Sequence, residues 1–380
     1  MSSTPDPMQL HRQLGGKIAI TSKLTDIDNE TLGAVYTPGV AQVSRHLAAH
    51  PGEVGSYTMK SNLVAVVSDG SAVLGLGNVG PQAALPVMEG KAMLFERLSG
   101  VNAFPLVLDT QDMEQIIATV RAVAPVFGGI NLEDIAAPKC YEIEQRLQEE
   151  LNIPVMHDDQ HATAIVVQAG LLNACRVTNR SLPESKVVII GAGAAGSAVT
   201  KLLHAAGVEQ KLVLDSQGIL HSGREGLDIY KQHLVAISNP DSLSGGLAEA
   251  LSGADIVIGV SGPDILSEQD IAAMADDPIV FALSNPTPEI MPERATAGGA
   301  AVVATGRSDF ANQINNVLVF PGLFRGLLDS GVPNVTDAIK LAAATGIAEM
   351  VSEPRAEYII PTALEREVAE RVAAAVAASA

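Results

Sequence analysis

The apolar positions of this chain change rhythm near its middle. Residues 186–190, 211–214, 255–260, 279–283 and 301–304 are short apolar runs, separated by stretches with helical spacing that include 243–251 and 267–274. Such strand–helix alternation predicts a parallel, doubly wound sheet. Helical segments at 337–350 and 364–377 close the chain. The first half is less regular. Apolar runs at 63–67 and 72–74 flank Ser68-Asp69-Gly70-Ser71, where Asp-Gly predicts a tight hairpin. Helices are expected over 86–98, 113–123 and 141–151, with strands at 103–108, 126–130 and 153–156. The predicted fold is α/β: an N-terminal mixed α/β domain over 1–160, then a Rossmann-type doubly wound parallel sheet with C-terminal helices over 161–380. A helix at 161–180 is shared between the halves.

Composition narrows the classes of function. The chain has 380 residues, 47% of them hydrophobic and 18% charged, which fits a globular protein with a large core. Its net charge is 24 minus 43, or −19, which argues against nucleic acid or an anionic membrane as partner. Cys140 and Cys175 form no C-x-x-C pattern and read as buried small hydrophobes of a reduced cytoplasmic protein. The start, Met1 to Pro7, lacks a basic region followed by an apolar core, so no signal peptide is expected. The longest uncharged apolar stretches, near 162–175 and 187–200, are too short to span a bilayer.

Two acidic pairs carry the chemistry. Glu133-Asp134 and Asp158-Asp159 each follow a predicted strand, at the end where open α/β sheets place ligands. Adjacent carboxylates repel, and a hard divalent cation is the usual offset. Acids decorating a helix N-terminus are the plainer alternative. His157 and His161 flank the second pair and read as structural residues, not ligands.

Two glycine loops follow the G-x-G-x-x-G pattern. Gly75-Leu76-Gly77-Asn78-Val79-Gly80 comes after a hairpin and before Pro81, so it reads as a shaped turn that could line a site. Gly191-Ala192-Gly193-Ala194-Ala195-Gly196 follows a strand and opens a helix of small residues, with Asp215 ending the next strand. That context suits a dinucleotide, with pyrophosphate at the helix N-terminus and ribose hydroxyls on Asp215. Asp215 favours NAD by repelling a 2′-phosphate, although Arg224 or Lys231 could fold back to supply positive charge. A metal beside a nicotinamide points to oxidation of a hydroxy acid.

Several motifs then resemble one family in order along the chain. Tyr36-Thr37-Pro38-Gly39-Val40-Ala41, Glu89-Gly90-Lys91-Ala92, Asn131-Leu132-Glu133-Asp134 and His157-Asp158-Asp159-Gln160-His161-Ala162-Thr163 are similar to those of the malic enzymes, in their short bacterial form. Ser284-Asn285-Pro286-Thr287 and Asn315-Asn316-Val317-Leu318-Val319-Phe320-Pro321-Gly322 extend the match. The resemblance implies a homodimeric oxidoreductase that converts malate to pyruvate and carbon dioxide, using NAD or NADP and Mg²⁺ or Mn²⁺. It implies Glu133, Asp134 and Asp159 as metal ligands, Lys91 as general base, Tyr36 as general acid and Asp158 as the carboxylate orienting Lys91. Asn285 and Asn316 become substrate-carboxylate amides. Thr163, Gly191, Gly193, Ala194, Ala195, Gly196, Asp215 and Asn285 form the cofactor set. One departure stands out. Larger members carry an arginine after the Asp-Gly turn for a malate carboxylate, and here that stretch reads Ser71-Ala72-Val73-Leu74.

The roles fit the chemistry they need. A lysine can accept a hydroxyl proton if burial or a nearby cation lowers its pKa, and Lys91 is followed by apolar Ala92-Met93-Leu94-Phe95. Without the family, an exposed helix lysine is the blander reading, and Tyr36 is a packed or surface aromatic. Nothing beyond the catalytic core is expected in the chain. Rival readings are a malolactic enzyme that releases lactate, an oxaloacetate decarboxylase, and a non-catalytic nucleotide-sensing protein, which should have lost Lys91, Tyr36 or an acidic ligand.

Overall fold

The computed structural model describes residues 6–380; the expectation of no signal peptide falls partly on residues 1–5, outside the described residues. Two sheets carry the fold. The first has four strands, β1 (Leu63–Ser68), β2 (Asn102–Val107), β3 (Gly129–Leu132) and β4 (Val155–His157), in the order β2-β1-β3-β4. All its pairings are parallel. The second has six strands, β5 (Val187–Ile190), β6 (Lys211–Asp215), β7 (Gly218–Ile219), β8 (Ile256–Gly259), β9 (Ile279–Ala282) and β10 (Val302–Thr305), in the order β10-β9-β8-β5-β6-β7. Only the short β6–β7 pairing is antiparallel. Strands β5, β8 and β9 are buried at every position, as expected where helices cover both faces of a parallel sheet.

The Asp-Gly hairpin does not form. β1 lies between β2 and β3 and pairs in parallel with both, so neither of its edges is left for a returning strand. Gly70 does turn the chain, with φ +67, but into a loop that folds back on Gly80: a Cβ at Gly70 would lie 2.4 Å from the Gly80 carbonyl oxygen. The strand expected at 126–130 starts later, because Pro125 sits in a 3-10 turn, Ala124–Val126.

Helix Phe320–Ser330 is absent from the sequence reading, because Pro321, Gly322 and Gly326 resemble turn residues. Here the glycines serve close packing. A Cβ at Gly322 would fall 2.5 Å from the Ala369 carbonyl oxygen, against helix Arg366–Ser379.

Helix Asp158–Val177 joins the two halves and is buried along most of its length. One apolar cluster runs from Val64, Val66 and Phe95 through this helix to Val187 and Ile189. No helix among the described residues is long and apolar enough to cross a membrane.

Candidate active site

Strand register brings the acidic pairs together. β3 and β4 are parallel neighbours, with Leu132 opposite His157, so each pair begins just beyond a matched residue. Ligand atoms of Glu133, Asp134 and Asp159 lie within 4.8 Å of one another. Asp134 holds a left-handed conformation, φ +54, which a non-glycine residue adopts at a cost. Its backbone N–H donates to Asp159 Oδ2 at 3.0 Å. Asp158 is turned away from this group. Its Oδ2 accepts from Lys91 Nζ at 2.5 Å and from Asn316 Nδ2 at 2.8 Å.

Lys91, Glu133, Asp134, Asp159 and Asn316 line a cavity of about 560 Å³ that also includes Thr163, Asn285 and Ser261. Leu74 and Gly75 line it too, so the first glycine loop borders the site. Gly75 packs on the next wall: a Cβ there would lie 2.6 Å from the Asn285 carbonyl oxygen.

Lys91 lies on helix Pro81–Ser99, is 7% exposed, and sits 4.4 Å from the centroid of the Phe320 ring. Its Nζ donates to Glu133 Oε2 at 2.5 Å as well as to Asp158. The expected depression of its pKa is not found in this state. Burial does favour the neutral amine, but attraction from Asp158, Glu133 and Asp159 outweighs it and holds the group above its ordinary value. The carboxylates move the other way. Burial and then repulsion from Asp159 push Asp134 up to about 7. Glu133 and Asp158 are also raised, by burial first and by acidic neighbours that Lys91 only partly offsets.

The residues fit a divalent cation. Asp134 Oδ2 is buried and has no hydrogen-bond partner among the described residues, beside carboxylates that repel it. An ion bound by Glu133, Asp134 and Asp159 would relieve both costs and leave positions for substrate or water.

A second cavity, about 780 Å³, abuts the first through Ser261 and is lined by Gly191, Gly193 and Asp215. Gly191 has φ +120, and a Cβ at Gly196 would lie 1.8 Å from its carbonyl oxygen, so only glycine permits this turn. Helix Ala194–Ala205 starts here, presenting its free N–H groups where a pyrophosphate fits. Ala195 reaches the wall of the first cavity. Arg224 Nη2 and Lys231 Nζ both fold back onto the Asp215 carboxylate, each at 2.7 Å. Burial opposes ionisation of Asp215, but bonds from Lys231, the Gln217 N–H and Arg224 prevail and hold it below the ordinary value.

Thus Lys91, Glu133, Asp134, Asp159, Thr163, Asn285 and Asn316 line one wall system, with Asp158 behind Lys91. Asn316 faces Asp158 and Thr163, whose hydroxyl donates to Asn316 Oδ1 at 3.1 Å. Tyr36 is not brought into this cavity; it is 66% exposed. His161 lies 3.0 Å from the Glu144 carboxylate, and the backbone N–H of His157 donates to Glu144 Oε1 at 2.7 Å. Cys140 and Cys175 are free and buried, and burial pushes both thiols up to about 12.

Two contributors escaped the sequence reading. Buried Glu289 accepts from the Ser261 N–H at 2.9 Å and the Ser284 N–H at 3.0 Å, pinning the loops after β8 and β9 that line the site. Its signal was an acid three residues after Asn285-Pro286. Phe320 lies inside the Asn315–Gly322 motif, but its place against Lys91 has no local signature.

Residues 16–148 match the malic enzyme N-terminal domain, and residues 160–380 match the malic enzyme NAD binding domain. The chain is 54% identical over 365 residues to a NAD-dependent malic enzyme of Geobacillus stearothermophilus, covering 96% of this chain and 76% of that protein. It is 49% identical over 383 residues to a bifunctional malic/malolactic enzyme of Bacillus subtilis, covering 100% of this chain and 93% of that protein. The solved structure of a NAD-dependent malic enzyme from Thermotoga maritima superposes with a TM-score of 0.96 at 48% identity, covering 99% of this chain and 100% of that one.

Proposed function

The chain belongs to the malic enzyme family of oxidoreductases, and from that premise we propose that it converts L-malate and NAD⁺ or NADP⁺ to pyruvate, carbon dioxide and reduced cofactor, with a divalent cation in the site. The observation that supports this most is buried Lys91 bonded to both Asp158 and Glu133, beside Asp134 and Asp159, in a cavity that abuts the glycine loop.

Glu133, Asp134 and Asp159 hold the cation in this reading. When bound, it supplies Lewis-acid stabilisation of the negative charge that develops on the substrate oxygens. Lys91 accepts the proton of the malate hydroxyl while hydride leaves the same carbon for the nicotinamide. With Glu133 engaged as a ligand, Lys91 keeps Asp158 as its partner and holds its proton less tightly. Asp158, itself held by Asn316, aims the amine. Asn285 and Asn316 orient substrate with amide donors, which suits a site whose only lining cation among the described residues is Lys91. After carbon dioxide leaves, the enol carbon of the three-carbon product takes up a proton, a step that the family resemblance assigns to Tyr36 although this residue lies outside the cavity of its own chain.

The adenosine end reads as permissive. Asp215 can accept from a ribose diol, as NAD requires, yet Arg224 and Lys231 already neutralise it and offer charge to a 2′-phosphate. We place an N-terminal metal-binding catalytic domain at 1–160 and the cofactor domain at 161–380, and expect a cytoplasmic homodimer.

Absorbance at the reduced-nicotinamide band, with L-malate, Mn²⁺ or Mg²⁺, and NAD⁺ or NADP⁺ in parallel, tests the reaction and cofactor together. Pyruvate equal to reduced cofactor is expected. Turnover without either metal, or none from malate under any condition, overturns the reading. Similarity to a relative named malic/malolactic keeps one alternative, in which lactate accumulates with no net reduced cofactor.

A further inference from the structure

A third cavity, of about 250 Å³, shares no wall residue with the two already described. It lies where three helices meet. Helix Asp158–Val177 gives it Gln160 and His161, helix Ala194–Ala205 gives it Lys201 and His204, and helix Asp337–Ala348 gives it Asp337 and Lys340.

Its charge is unlike that of its neighbours. The substrate cavity sets Lys91 against Glu133, Asp134 and Asp159, and the cofactor cavity sets Lys231 against Asp215 and Asp228. Here, among the described residues, two lysines and two histidines face one acid, Asp337. The chain as a whole carries −19, so such a gathering runs against its overall charge. Lys201 makes no hydrogen bond or ion pair among the described residues; its Nζ lies over the Tyr141 ring, 5.8 Å from the centroid. The Lys340 side chain is 13% exposed, and its one partner is Asp337 Oδ1 at 3.0 Å, on a side chain that is 59% exposed. A pair with so exposed an acid holds weakly and gives way to a better acceptor. Asp337 opens its helix, so the positive end of that helix dipole also borders the cavity.

The shape and the donors select the ligand. No guanidinium is among the described lining residues. A guanidinium fork suits a planar carboxylate, whereas ammonium point charges suit a tetrahedral oxyanion. The cavity is about a third the size of the cofactor cavity, 250 against 780 Å³, too small for a nucleotide. We propose that it binds a small phosphate-class anion between Lys201 and Lys340, apart from the substrate and cofactor cavities. The group recognised is one phosphoryl dianion, free or on a small monoester.

Calorimetric titration of inorganic phosphate into metal-free protein saturated with NAD⁺ tests this, with chloride at matched ionic strength as the blank. One phosphate per chain is expected. Lys201→Gln and Lys340→Gln should each weaken it by about 10-fold or more, the worth of a charge-assisted hydrogen bond. Lys201→Arg, which keeps the charge, should retain most of the binding and so separates loss of charge from a damaged fold. No binding by the wild-type chain overturns the proposal. So does binding that both glutamine variants retain, or that Lys231→Gln abolishes while they do not, which puts the phosphate in the cofactor cavity. Succinate bound as tightly through the same two lysines overturns the phosphate class. Glycerol 3-phosphate distinguishes the two sources: binding tighter than phosphate, and still dependent on Lys201, assigns the site to a monoester, and weaker binding assigns it to the free ion.

Discussion

The two cavities are built on opposite principles. Around the substrate cavity, side-chain charge does the work: Glu133, Asp134, Asp158 and Asp159 share the single ammonium of Lys91, and the buried acids are raised as a result. Around the cofactor cavity, backbone does the work. Glycines shape the turn, a helix terminus supplies donors, and the one carboxylate, Asp215, is already answered by Arg224 and Lys231. The first site is electrostatically incomplete until something positive arrives. The second is complete as it stands. Loss of a side chain should therefore be severe in the first and graded in the second.

Lys91 should give the largest effect. Lys91→Ala is expected to lower kcat by roughly 10²–10⁴-fold, the usual worth of a positioned base, while malate still binds. Steady-state rates and a direct malate titration separate the two, and near-normal turnover would remove Lys91 from the role of base. Asp134→Asn comes next. Mn²⁺ activation should weaken by on the order of 10-fold or more, whereas the thermal midpoint in chelator should rise by a few degrees, because one member of a crowded set of charges is gone. A midpoint that falls in chelator would show that Asp134 stabilises the metal-free fold and that the repulsion argument fails. Asp215→Ser should have the smallest effect. Freeing Arg224 and Lys231 is expected to shift the ratio of kcat/KM for NADP over NAD upward by about 10-fold, equivalent to ~1.4 kcal/mol. An unchanged ratio means that the adenosine end is not read at this position.

Much of this contrast is legible along the chain. The strand–helix rhythm marks β5, β6, β8, β9 and β10 closely, because hydrophobic period and turn chemistry are properties of neighbours in sequence, whereas the two-residue β7 is too short to leave a pattern. The glycine loop at 191–196 declares itself for the same reason, and the acidic pairs fall at strand ends as expected. What misleads is the Asp-Gly at 69–70. It does turn the chain, but whether a turn closes a hairpin depends on a free strand edge, and β1 has none. Helix Phe320–Ser330 is hidden because Gly322 and Gly326 are there for a neighbouring helix, not for their own backbone.

By itself, then, the sequence determined the strand–helix alternation of the second half, a glycine turn of the dinucleotide-binding type, and which carboxylates could gather. Only the tertiary structure decided that Lys91 bonds to both Glu133 and Asp158 while Glu133, Asp134 and Asp159 converge, that Arg224 and Lys231 answer Asp215, and that Tyr36 stands outside the cavity of its own chain. The physical reason is range. Helix, strand and turn preferences act over a few residues, whereas charge, burial and shape act through space between residues that lie 42, 67 or 158 positions apart in the chain.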